Sequence, residues 1–169
     1  MERKDKDNYY LDIADTVLIR STCRRRIYGA IIVLNDEIIA TGYNGAPRGR
    51  KNCLDRGVCM RDELNIPSGE RYELCRSVHA EANAIISAAR RDMIGATLYL
   101  TGKDARTGEL LDDSIPCGMC KRLIINAGIV KTVCRTAPEK YVVINTRDWV
   151  FSDDSIVDIS QITPVKKSK

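Results

Sequence analysis

The sequence has no run of eighteen apolar residues, so its hydropathy offers no membrane-spanning helix. It opens on MERKDKDN, which lacks the pattern of a secretory leader, and a cytoplasmic protein is the expectation. Internal repeats and low-complexity tracts are missing. Charge of one sign is not in large excess: 27 Lys and Arg stand against 23 Asp and Glu, a net charge of +4, with the two signs interspersed. Charge therefore indicates neither a nucleic-acid partner nor a membrane surface. Seven cysteines are an odd number, and a disulfide framework belongs to small secreted domains, which this chain does not resemble. The scarcest residue with ligand chemistry is histidine, present once at position 79. Any metal site in this chain must be completed by other side chains.

What is present groups around that histidine. His79-Ala80-Glu81 is followed downstream by Pro116-Cys117-Gly118-Met119-Cys120. One imidazole and two thiols make a three-ligand zinc set, and a fourth position open to water is the pattern of a catalytic rather than a structural site. Such a metal brings bound water towards ionisation near neutral pH. Glu81, two residues from the histidine, can lie beside the metal without ligating it and carry protons. The segment HAEANAIISAARR (79–91) is rich in helix formers, and CGMCKRLIINAG (117–128) ends on Gly128 as a helix C-terminus should. Both ligand groups fall in first helical turns, where the backbone dipole favours thiolate, and Cys117 and Cys120 share one helix face. The competing reading is a structural zinc knuckle or redox pair beside an unrelated histidine.

The remaining pattern predicts an α/β protein. Tyr10, Ile13, Ala14, Val17 and Leu18 form a helical stripe. IYGAIIVLND (27–36) and EIIATGY (37–43) read as a hairpin turning at Asn35-Asp36. ATLYLTG is a third strand after a helix stop at Gly95, IVKTVCRT a fourth, and YVVINT a fifth. The order is α-β-β-α-β-α-β with one further β, a three-layer α/β/α arrangement around a mixed five-stranded sheet. At 169 residues the chain reads as one domain, 1–169, with residues 1–7 and about 152–169 as peripheral tails.

Residues 44–77 form a long polar connection holding Cys53 and Cys59, with Cys23 before it and Cys75 at its end. A connection that long needs a reason inside a compact domain. Four thiols suffice for a closed tetrahedral zinc, which would fix the loop. The alternative is reduced, separately buried thiols.

His-x-Glu with Pro-Cys-x-x-Cys is the signature of zinc-dependent nucleobase deaminases. Through GYNGAPRG (42–49), CRSVHAEANAI (75–85), ATLYLT and PCGMCKRLIINAGI (116–129), the chain resembles the cytidine deaminase superfamily. Within it, GYNGAPRG and the IINAGI ending are similar to the deoxycytidylate (dCMP) deaminases, including the bacterial late-competence-type members. That resemblance implies the cytidine-deaminase-like fold and hydrolysis of dCMP to dUMP, with His79, Cys117 and Cys120 on the catalytic zinc. Glu81 would carry protons while water adds to C4 of the cytosine ring. It also implies a second zinc, with Cys23, Cys53 and Cys75 at matching positions and Cys59 as candidate fourth ligand.

For the substrate, the resemblance puts the Ala80 backbone at the ring carbonyl and Asn44 at the sugar, though Asn44 also reads as a turn residue before Gly45. Arg48 suits the 5′-phosphate, with a surface arginine as its alternative. Arg26 is the weaker candidate, since Arg24, Arg25 and Arg26 read as a solvated run. Partners implied are dCMP, the effectors dCTP and dTTP with Mg2+ near the GYNG loop, and copies of the chain in a homo-oligomer, often a hexamer. Two departures border the pocket. KDARTGELLDDS (103–114) is longer than the usual link, and Cys134 stands where a tyrosine is often found. The rival functions are a nucleoside or tRNA adenosine deaminase sharing the motifs, and a non-catalytic competence-type zinc protein.

Overall fold

A computed structural model describes residues 3–152. The first helix, α1 (Lys6–Leu18), starts where the Asp5 side chain accepts a hydrogen bond from the Asn8 N–H at 2.9 Å. Lys6 and Asp7, read as tail from the sequence, therefore belong to the helix. Two antiparallel strands follow, β1 (Arg26–Leu34) and β2 (Glu37–Tyr43). Asn35 and Asp36 join them with φ of 50° and 69°, the positive pair that a two-residue hairpin of matching twist requires.

The connection 44–77 is less bare than the sequence suggests. It holds two single-turn helices, α2 (Cys53–Arg56) and α3 (Met60–Glu63), and a 3-10 turn at Tyr72–Leu74. Then come α4 (Ala80–Ile85), α5 (Arg90–Met93), β3 (Thr97–Asp104), α6 (Gly118–Ala127), β4 (Lys131–Ala137), β5 (Lys140–Asn145) and α7 (Thr146–Ser152). The single helix expected over 79–91 is divided, with the Ser87 hydroxyl taking the Asn83 carbonyl at 2.7 Å just past the end of α4. Helix α7 has no counterpart in the sequence reading. The tail expected beyond it lies outside the described residues.

The sheet order is β2-β1-β3-β4-β5, with β3 and β4 parallel and the other pairs antiparallel. Strand β1 is buried on both sides and alternates between two cores. Ala30 and Ile32 join Leu98, Leu100, Ala84, Ile124 and Trp149 on one face, and Ile31 and Val33 join Leu11, Ala14 and Tyr99 on the other. Helix α1 covers the second face, and α4, α6 and α7 the first, so three layers form. Among the described residues no helix is long and apolar enough to cross a membrane.

This topology positions the site. Because β1 runs antiparallel to both β2 and β3, those two strands point the same way, and the helices that follow them leave from one edge of the sheet. That edge is where α/β proteins place ligands. Close approach of α4 to β2 depends on Gly42, where a Cβ would collide with the backbone of Ala80 and Ala84.

Candidate active site

His79 and Cys117 occupy the same structural position, the N-cap of α4 and of α6, with φ/ψ of −69°/154° and −69°/167°. Neither side chain caps its own helix. They turn towards each other instead. An antiparallel bridge between Gly45 and Val78 fixes the entry to α4, with hydrogen bonds of 3.1 and 2.8 Å. Cys120, one turn into α6, completes the group. His79 Nδ1 lies 3.5 Å from Cys117 Sγ and 3.4 Å from Cys120 Sγ, and all three ligand atoms lie within 4.8 Å of one another. A tetrahedral zinc with ordinary Zn–N and Zn–S bonds would separate nitrogen and sulfur by about 3.5 Å. The donor set and its spacing fit zinc.

The electrostatics agree. The Cys117 thiol is drawn down to about 4, first by a hydrogen bond from Cys120 and then by His79, whereas Cys120 is pushed up by the same pairing. A lowered thiol beside the imidazole is the direction that favours the thiolate a metal takes. Glu81, in the first turn of α4, is only 5% exposed. Burial raises its carboxyl above the usual range, and its side chain reaches Cys120. It is a buried carboxyl beside the ligand trio, and among the described residues no lysine or arginine forms an ion pair with it.

His79, Cys117 and Glu81 line a cavity of about 120 Å³, with Cys120 buried behind them. Ala80, Asn44 and Arg26 line it; Arg48 is exposed and is not among its lining residues. The two arginine candidates are thus reversed from their sequence ranking. Asn44 is buried, and most of its amide is already engaged. Its Oδ1 accepts from the Ser21 hydroxyl at 2.6 Å and the Tyr28 N–H at 2.7 Å, while Nδ2 donates to the Arg26 carbonyl at 2.9 Å. One amide N–H is left for a ligand.

Sequence reasoning missed several wall residues. Arg25 lines the cavity beside Arg26, so the triple-arginine run is not a uniformly solvated surface. Arg61 is buried in a segment without periodicity. Its Nη2 donates to the carbonyls of Pro67 and of Glu70, the latter at 2.7 Å, and its guanidinium sits 4.9 Å from the Tyr72 ring centroid. Tyr72 in turn meets His79 edge-on, 4.8 Å between ring centroids. Cys134 is fully buried in the sheet core as a free thiol pushed up by burial.

Cys23, Cys53, Cys59 and Cys75 are free and line the same cavity. Burial pushes the Cys53 and Cys75 thiols up. Among the described residues, His79, Cys117 and Cys120 are the one group gathered to mutual ligand distance, and these four sulfurs are not.

A model of the family described as the cytidine and deoxycytidylate deaminase zinc-binding region matches residues 4–136. The chain belongs to that family. It is 38% identical to the deoxycytidylate deaminase of Mycobacterium phage D29, over 79% of this chain and 96% of that protein. The deoxycytidylate deaminase of Schizosaccharomyces pombe is 34% identical over 80% of this chain, which spans only 38% of that longer relative. Among solved structures, the dCMP deaminase of cyanophage S-TIM5 in complex with dCMP and dUMP is similar with a TM-score of 0.53 and 25% identity, covering 80% of this chain and 84% of that one. The three-layer fold around a mixed five-stranded sheet is the cytidine-deaminase-like fold, and His79, Cys117 and Cys120 are the candidate metal site of this zinc-binding deaminase family.

Proposed function

We propose that the chain is a dCMP deaminase: dCMP and water are converted to dUMP and ammonia. The observation that carries this is the buried Glu81 carboxyl beside a three-ligand set of imidazole and two thiols, at the end of a cavity walled by guanidinium groups. Three protein ligands leave a position for water, and a purely structural site would have no use for the carboxyl.

His79, Cys117 and Cys120 would hold the metal, which would supply Lewis acidity that brings the ionisation of water towards neutral pH. Glu81 takes the first proton of the water that adds at C4 and passes it to N3, then takes the second from the resulting C4 hydroxyl as the carbonyl forms and passes it to the amine, which leaves as ammonia. Its burial keeps those protons out of bulk solvent. The Ala80 backbone, in the first turn of α4, reads the ring carbonyl, and the remaining N–H of Asn44 reads the sugar. Arg26 meets the 5′-phosphate, supported by its place in the cavity wall, and Arg48 is the poorer choice because it points to solvent.

The same reading takes the chain as one deaminase domain, working in the cytoplasm, where seven free thiols stay reduced. A second zinc on Cys23, Cys53, Cys59 and Cys75 is supported by their shared wall and requires the loop to draw the sulfurs together. A homo-oligomer, a hexamer in the resembling family, is supported by the exposed apolar side chains Met119, Leu123, Val143 and Phe151. Regulation by dCTP and dTTP with Mg2+ rests on the resemblance alone.

A spectrophotometric deamination screen over dCMP, deoxycytidine, CMP, adenosine and AMP tests the activity, with zinc stoichiometry measured on the same sample. Preferred turnover of dCMP is expected. Turnover of an adenine compound, or none at all with zinc bound, would sink the reading.

A further inference from the structure

Three arginines, Arg25, Arg26 and Arg61, line the cavity. Two of them retain a buried nitrogen without a hydrogen-bond partner, Nη1 of Arg25 and Nε of Arg61. Such donors are costly to bury unless something meets them. The two arginines at the start of the sheet are each gripped from outside by an aspartate. Arg25 Nε lies 3.2 Å from Asp62 of α3, and Arg26 Nη1 lies 3.0 and 3.3 Å from the two carboxylate oxygens of Asp113. Neither acid is among the residues lining the cavity.

Asp113 is brought there by the long connection between β3 and α6. That connection is docked rather than loose. Ala105 N–H donates to the Arg25 carbonyl at 2.8 Å, Leu111 N–H to Gly102 at 3.0 Å, and Lys103 bridges Leu110. The Asp104 carboxylate closes its turn by accepting from the N–H groups of Arg106 and Thr107 at 2.7 and 3.0 Å. Arg106 then reaches Asp62 at 3.1 Å, on the acid that already holds Arg25. Arg25 and Arg26 are therefore tied, through Asp62 and directly, to one connection.

These pairs are partly exposed, so they add little to folding. Their effect is geometric. A guanidinium presents a planar fork of donors, and a carboxylate on one edge fixes the orientation of the others. Resting on the nucleotide reading above, we propose that Asp62 and Asp113 are positioning residues for a phosphate monoester: they occupy the outer edges of Arg25 and Arg26 so that the inner donors are set for the 5′-phosphate. The connection carrying Asp113 and Arg106 thereby sets the preference for nucleotide over nucleoside.

The test compares zinc-loaded wild type with Asp62→Asn, Asp113→Ala and Asp113→Glu, and with Asp112→Asn as a control of equal charge change one residue away. Calorimetry measures binding of the product dUMP and of deoxyuridine, and steady-state assays give kcat and KM for dCMP. Asp62→Asn and Asp113→Ala are expected to weaken dUMP binding and raise the dCMP KM about three- to tenfold, as misorientation weakens one hydrogen bond to the phosphate without removing it. Deoxyuridine binding and kcat stay put, Asp113→Glu recovers part of the loss, and Asp112→Asn changes nothing. Tighter dUMP binding in Asp113→Ala would overturn the proposal by showing that the acid competes with phosphate. Equal loss for dUMP and deoxyuridine would reduce the pairs to a merely structural role and also overturn it. A wild type that binds dUMP no better than deoxyuridine would remove the nucleotide reading itself, and this proposal with it.

Discussion

The chain places two sets of thiols around one cavity, and they are built differently. Cys117 and Cys120 stand with His79 on helix ends that leave one sheet edge, and their ligand atoms are already within 4.8 Å of one another. Cys23, Cys53, Cys59 and Cys75 come from loops and single-turn helices, and their sulfurs share a wall without meeting. Regular structure preorganises the first set, so a metal arriving there orders little. A metal on the second set would have to order the loop, and its binding energy would appear as stability of that region.

Four substitutions bear on this contrast. The largest effect is expected from Cys117→Ser, which should abolish turnover and remove one zinc per chain while leaving the fold, measured by circular dichroism, intact. Glu81→Gln separates chemistry from metal: kcat should fall by about 10²–10⁴-fold with zinc content unchanged. Near-normal turnover would remove Glu81 from the mechanism. Gly42→Ala forces a Cβ into the backbone of α4 and should cost about 1–3 kcal/mol of stability, read as a lowered thermal midpoint, because the strand and helix beneath His79 must part. Cys53→Ser should have the smallest effect on catalysis, a few-fold at most, yet lower the zinc count from two to one. A wild-type count of one would leave the second set as plain buried thiols and sharpen the contrast into metal against no metal.

The features legible in the sequence are those fixed by local chemistry. Asn35 and Asp36 do adopt the positive φ values of a tight hairpin, Gly128 closes α6 in the left-handed region with φ 81°, and the alternation along β1 is split between two cores. His79 and Cys117 stand at helix starts, as their surroundings predict. What stayed hidden depends on partners distant in the chain. The sequence of α7, TRDWVFS, is rich in β-branched and aromatic residues. It is held helical by the Asn145 side chain accepting from the Arg147 N–H at 3.0 Å and by burial of Trp149 in the core beneath α6. Arg61 gives no periodic signal, since its burial comes from the carbonyls of Pro67 and Glu70. Arg48 and Arg26 are chemically equivalent as letters, and only the path of the backbone turns one outward and the other into the wall.

The shared sheet edge also has a consequence for how the molecule folds. His79 and Cys117 are 38 residues apart, and they meet only after β3 has paired with β1 so that α6 can start beside α4. A metal on these residues would therefore find its three ligands together only after this pairing, too late to nucleate folding. Refolding rates followed by tryptophan fluorescence should be the same with and without zinc, while unfolding slows when the metal is bound. On this topology a metal held by His79, Cys117 and Cys120 would lock the fold rather than start it.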